Sequence, residues 1–231
     1  MVRTKISMLS LAALVLCIGA GVTQAQTPAA DTFRVNYFAG AAGSRPDQTV
    51  RITNTGTAFS GAGIGATDDL CANIYVFDPT QELKECCSCL VTPNGLRTLS
   101  VDFDLVHNPL TGTFGSLGEG VIKIVSSSTV PPSSTGSAPC RGTNPSTGVT
   151  SPRGLAGTVG YVARAAVRAW GTHNQDVSGG LSGAGVINQV TETEFLDATL
   201  SAAELSELQA NCQFIFGQGS GAGQCSCGRG D

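Results

Sequence analysis

Charge is scarce in this chain. Only 13% of its residues are Asp, Glu, Lys or Arg, about half the share of an ordinary globular chain, so the surface has to be built from Ser, Thr, Asn, Gln and Gly. The few cations exclude a nucleic-acid partner, because phosphate binding needs clustered Lys and Arg and the formal net charge is −4. No apolar stretch reaches the roughly 20 residues of a spanning helix, so no transmembrane span is expected. No asparagine begins an Asn-x-Ser/Thr acceptor, so N-glycosylation is not expected and a bacterial source is favoured over a eukaryotic one. Cys86 to Cys89 is the one Cys-x-x-Cys, and Leu90 after it leaves no haem-attachment His. On a strand its two sulfurs point to opposite faces, so the spacing usual for zinc sites and thiol-disulfide catalysts does not present two thiols together here. No Gly-x-Ser-x-Gly occurs, which removes the hydrolase elbow, for which Phe114–Gly118 is no substitute with Phe114 where a glycine belongs.

The chain does carry an export signature. Arg3 and Lys5 precede the apolar run Met8 to Ala20, and Thr23-Gln24-Ala25 presents small residues where a signal peptidase reads. Residues 1–25 are therefore expected to be a secretory signal peptide, followed by a polar leader over 26–33 and a single β-rich domain over 34–231. Cys17 follows Leu16, where a lipoprotein signal needs a small residue, so lipidation is not expected. Removal of the signal leaves eight cysteines, an even number that in an exported chain favours disulfides.

Several stretches read as strands. Thr49 to Thr53 alternates at period two and stops at Asn54-Thr55-Gly56, which predicts a half-buried strand. Ala72 to Phe77 ends at Asp78-Pro79 and predicts a hairpin returning through Glu82 to Cys89. After a turn at Pro93-Asn94-Gly95, a strand is expected with Leu99, Val101, Phe103 and Leu105 on one face and Ser100, Asp102 and Asp104 on the other. Val121 to Val125 adds another. Residues 126–153, rich in Ser, Thr, Pro and Gly, predict a long loop tied down by Cys140. Thr158 to Trp170 is read as a strand. Ser201 with Glu204 forms a capping box, and Leu200, Leu205, Leu208 and Cys212 make an apolar stripe, so a helix is expected near 201–213. The recurring Ser-Gly-Ala-Gly at 60, 182 and 220 is loop composition and not a repeat. The fold class expected is mainly β, an antiparallel sandwich immunoglobulin-like in general shape, with one C-terminal helix and disulfide staples.

On a strand, Cys87 and Cys89 share one face while Cys86 points to the other, and Cys225 and Cys227 likewise share a face. Those two pairs can meet across neighbouring strands as a four-thiolate metal site or as disulfides, and their Cys-x-Cys spacing in place of Cys-x-x-Cys favours disulfides. The disulfide candidates are Cys71, Cys86, Cys87, Cys89, Cys140, Cys212, Cys225 and Cys227, in any of 105 pairings. Proximity nominates Cys71 with Cys86 or Cys87, and Cys212 with Cys225 or Cys227. No metal or other cofactor is expected.

His107 and His173 both follow expected strand ends and read as turn or surface residues, so no catalytic residue is named. Asp102 and Asp104 can be offered as paired carboxylates for glycoside hydrolysis or calcium, although a half-exposed strand shows the same alternation. Asp68-Asp69 lacks the ligand spacing of a calcium loop. Gly61 to Ala66 imitates a dinucleotide fingerprint with no room for its helix, and the terminal Gly-Arg-Gly-Asp is a short chance match to an integrin ligand. Trp170, with Tyr37, Tyr75 and Tyr161, is the best candidate for stacking a sugar. The leading expectation is an exported structural or adhesive surface protein, a fibre or surface-layer subunit whose partners are other copies of itself or surface proteins. A carbohydrate-binding module with glycan partners is the first alternative, and an exported hydrolase the second.

Overall fold

The computed structural model describes residues 32–39, 47–56, 69–106, 118–128, 140–143, 150–152, 167–177, 187–218 and 223–228. The expectations placed on 1–25, His107, Asp68, Tyr161, residues 61–66 and the terminal Arg-Gly-Asp lie outside these residues, as does most of Phe114–Gly118.

The chain is mainly antiparallel β, with two sheets and one C-terminal helix. One sheet has the order β11-β1-β6-β3-β4, from Leu196–Thr199, Thr32–Ala39, Glu119–Ser128, Leu70–Phe77 and Leu83–Val91. The other has the order β10-β9-β2-β5, from Ile187–Glu194, Val167–Val177, Thr49–Asn54 and Leu96–Ser100. A small hairpin pairs β7 (Arg141–Thr143) with β8 (Thr150–Pro152). Helix α1 spans Ala202–Gly217.

The alternation in β2 is followed strictly by burial, with Val50, Ile52 and Asn54 inside. Val50, Ile52, Leu99, Val167 and Ala169 of the second sheet join Ala72, Ile74, Val76, Ile122 and Ile124 of the first in one apolar cluster. Strand β3 is buried on both faces because α1 covers its other side. There Phe33, Tyr75 and Val125 meet Leu200, Leu205, Leu208 and Cys212 in a second cluster. Fully burying each such aliphatic side chain is worth about 1.5–3 kcal/mol. The hairpin at Asp78 forms as expected, its turn held by the Asp78 carboxylate, which accepts from the Thr80 amide at 2.9 Å and the Glu82 amide at 3.0 Å.

Several expectations are corrected. The leader does not extend to residue 33: Thr32 and Phe33 belong to β1, paired with Thr199 and Ala198, and Phe33 is buried. The loop does not begin at 126, because Ser126 to Ser128 continue β6 opposite Ala72 to Leu70, and it contains β7 and β8. The strand expected through Leu105 stops at Ser100, and Val101–Leu105 is a single π-helical turn. The turn at Asn94 is present, with φ 57°, but it carries the chain from one sheet to the other. Half of the capping box is made: Ser201 Oγ accepts from the Glu204 amide at 3.1 Å, while the Glu204 carboxylate reaches Lys123 Nζ at 2.8 Å. The helix also runs on to Gly217, beyond 213. The strand reading of 158–170 holds over the described residues 167–170.

Candidate functional site

Strand β4 is where the covalent structure converges. Its pleat sends Cys86 toward α1 and Cys87 and Cys89 into the shared cluster, as period two requires. Cys86 bonds Cys212 of α1, Cys87 bonds Cys225, and Cys89 bonds Cys227, with Cα separations of 5.9, 5.2 and 5.3 Å. The fourth bond joins Cys71 to Cys140 at 5.4 Å. The facing of Cys87/Cys89 against Cys225/Cys227 is as expected, but both pairings nominated by proximity are wrong. In the hairpin register Cys71 lies opposite Leu90, while Cys86 and Cys87 lie opposite Tyr75 and Ile74, so Cys71 never meets them. Cys212 is claimed by Cys86 because α1 packs on the face to which Cys86 points.

The C-terminal segment lies along the outer edge of β4. Cys86 donates its amide to Gly223 O at 2.9 Å, and Cys225 donates to Cys86 O at 3.2 Å. Gly223, at φ 74°, sits where a Cβ would press on Lys84 O and the Ile215 side chain at 2.9 Å each, so glycine is required for the close approach. The sulfurs of Cys87, Cys89 and Cys227 lie within 4.8 Å of one another. Each is already in an S–S bond and offers no thiolate to a soft metal.

The other nominated residues are spread over different parts of the fold. Asp102 and Asp104 share a π-helical turn and not a strand face. Asp104 Oδ2 accepts from the Ser100 amide at 2.8 Å, and its carbonyl from the Ser226 amide at 2.7 Å. Burial, then the neighbouring Asp47 carboxylate, raises the Asp102 pKa. His173 is not a turn residue: it lies within β9, 1% exposed, its ring stacked 4.3 Å from Tyr37 and its Nε2 2.6 Å from Thr193 Oγ1. Burial lowers its pKa, so the imidazole is neutral at neutral pH. Tyr75 is in the core beneath α1. Trp170 is half-buried on the outward face of β9, opposite Arg51 of β2 and Glu194 of β10, with the Arg168 guanidinium 5.6 Å from its ring. Tyr37 and Tyr75 therefore build no platform with it.

Two features carry no local sequence signal. Glu85 of β4 is 1% exposed, and neither carboxylate oxygen has a hydrogen-bond partner; burial pushes its pKa up to about 8. Residues 187–199 form the outer edge of both sheets in succession. β10 has only β9 beside it and β11 only β1, among the described residues. Phe195, 3% exposed, anchors the crossing between them and donates its amide to Ala169 O at 2.8 Å. Val190 and Leu196 are 53% and 72% exposed. The acids on this edge are folded back onto arginines of the same sheets: Glu192 pairs with Arg51, Glu194 with Arg168 and Asp197 with Arg34. No family model, curated protein or solved structure matches the chain.

Proposed function

We propose that this is an exported structural or adhesive protein that acts by association with other copies of itself or with surface proteins. In this reading its two sheets form a sandwich of general immunoglobulin-like shape, preceded by a secretory signal. The observation that carries it is the edge over 187–199. A strand edge leaves a row of unpaired backbone N–H and C=O groups that can accept another strand, and here the side-chain charges that normally guard such an edge are occupied by arginines behind it. The four disulfides favour an oxidising compartment; among the described residues no helix is long and apolar enough to cross a membrane.

The donor strand in this reading is the polar leader of a neighbouring copy, trimmed to 26–31 because Thr32 and Phe33 are committed to β1. Sedimentation velocity of the chain from residue 26 should show concentration-dependent assembly. Deleting 26–31, or placing a charge on the edge with Val190→Lys, should abolish it. A chain that stays monomeric at high concentration would refute the proposal.

A second reading, a glycan-binding face, is favoured by one observation. The Trp170 indole lies on an outward sheet face between Arg51 and Glu194, an apolar surface flanked by planar hydrogen-bonding groups. Glycan-array binding that disappears in Trp170→Ala would support this reading over the first.

A further inference from the structure

A groove of about 580 Å³ lies between α1 and the tip of the β3–β4 hairpin. It falls within the roughly 300–1,000 Å³ usual for binding clefts. Its apolar lining comes from Phe77, Leu83, Leu208 and Ile215, and Phe214 stands at its side 69% exposed. Glu82, Glu204 and Glu207 also line it, against Lys123 as the one cation of its lining. That lysine is already engaged, with Nζ 2.8 Å from the Glu204 carboxylate and 5.2 and 5.3 Å from the ring centres of Phe33 and Phe77. Glu82 is likewise paired, with Lys84 Nζ at 2.5 Å, so the lining carries a net negative charge over an apolar floor with Glu207 as the carboxylate outside these pairs.

Both walls are held before anything binds. The Cys86–Cys212 bond fixes α1 to β4 within one turn of Leu208 and Ile215. The hairpin tip is clamped by Asp78, which takes two backbone amides and the Thr80 hydroxyl and pairs with Lys84 at 3.0 Å. Within that tip Gln81, which lines the groove, has φ 69°. A non-glycine residue in this left-handed region is strained and persists where surrounding structure over-determines it.

We propose that this groove is a preformed site for a basic amphipathic peptide segment of a partner protein. Its aliphatic side chains enter between Phe77, Leu83 and Phe214, and its Lys or Arg side chains meet Glu207 and share Glu82 with Lys84. The mode is a helix or extended peptide laid in a groove, read through apolar anchors, with charge complementarity setting specificity and encounter rate. The groove and the 187–199 edge are separate surfaces, so the two proposals stand or fall independently.

The test is fluorescence anisotropy with a labelled 18-residue Leu/Lys amphipathic peptide, titrated with the oxidised chain at 50 and 300 mM salt. Glu207→Lys and Glu82→Lys should each weaken binding by tenfold or more at 50 mM salt, and Phe214→Ala should weaken it at both salt concentrations. Asp69→Lys, which changes net charge equally but sits just before β3, at the end opposite the hairpin tip, should leave it unchanged. Equal losses from Asp69→Lys and Glu207→Lys would mean general attraction to an acidic protein and overturn the proposal. Undiminished binding of a Leu/Gln peptide of the same length would also overturn it, as would self-association lost in Phe214→Ala without any peptide binding, which would assign the groove to a second copy.

Discussion

Replacing Glu85 by glutamine should remove most of the pH dependence of stability between pH 4.5 and 8. The side chain is 1% exposed with both oxygens unpartnered, and burial raises its pKa from an ordinary 4.5 to about 8. A folded-state pKa above the unfolded one means that the native protein keeps a proton the unfolded chain releases. Stability is therefore fully present below pH 4.5 and is lost as pH rises toward 8, at about 1.4 kcal/mol per pH unit in mid-window. Over this window the loss totals about 4 to 5 kcal/mol, a large share of the roughly 5–15 kcal/mol by which domains are stable. Glutamine keeps the shape and cannot ionise. Its buried amide imposes a penalty of about 1–3 kcal/mol that does not vary with pH. The assay is guanidinium unfolding under non-reducing conditions at pH 4 to 8.5, followed by the fluorescence of Trp170, the single tryptophan. The stability of the parent minus that of Glu85→Gln should fall steadily from pH 4.5 to 8 and level off above. A flat difference would show that the carboxyl is hydrated or partnered in solution and refute the reasoning.

Asp78 has the opposite sign. Burial pushes its pKa up, but the Thr80 hydroxyl, Lys84 and the Glu82 amide together hold it at about 2, so its contribution is present above about pH 4 and lost as pH falls through 2. Asp78→Asn should be less stable at neutral pH and should have a shallower acid limb, read from urea midpoints at pH 2 to 5. The Cys86–Cys212 bond closes a separation of 126 residues, and on chain-entropy grounds such a loop is worth about 4–5 kcal/mol. The Cys86→Ser/Cys212→Ser double variant should lose a large part of that by calorimetry, with α1 the first element to lose amide-exchange protection. Ser201→Ala removes the N-cap of α1 and should cost about 1 kcal/mol, measured as a shift in chemical midpoint with unchanged slope. At Gly120 a Cβ would lie 2.2 Å from Phe77 O and 2.6 Å from Phe38 Cζ, so Gly120→Ala should destabilise by about 1–3 kcal/mol.

Local periodicity was readable wherever an element buries one face. β2 and α1 meet that condition, and the residues the pattern nominates face inward, joined by Asn54 and Gln209, which it did not nominate. The stretch after Leu99 shows why the rule fails. Leu99, Val101, Phe103 and Leu105 alternate, yet Ser100 caps the Phe103 amide at 2.8 Å, Asp104 takes the Ser100 amide, and Val106 donates to Val101 O at 2.9 Å. In the resulting π turn Val101 and Leu105 both face inward while Phe103 is 60% exposed, so a period of two and a wide helical turn predict the same two buried residues. His173 was misplaced because Gly-Thr-His-Asn-Gln-Asp has turn composition. It is buried only because β1 brings Tyr37 against β9. Of the candidate sites, the cysteines were legible as a set. The edge at 187–199, the groove at α1 and the isolated Glu85 carry no local signature, since each is defined by what packs, or fails to pack, beside it.

From the sequence alone came the strands β2, β3, β4 and β6 with the turn at Asp78 between β3 and β4, the start of the C-terminal helix, and the division of Cys86 from Cys87 and Cys89 between two faces. Each of these follows from backbone geometry within a few residues. Tertiary structure alone decided that Cys86 bonds Cys212 and Cys71 bonds Cys140, that β10 and β11 have no outer neighbour among the described residues, and that Glu85 is buried. These depend on which distant segments come within a few ångströms of one another, and a chain's local pattern says which way a side chain points but not what it will meet there.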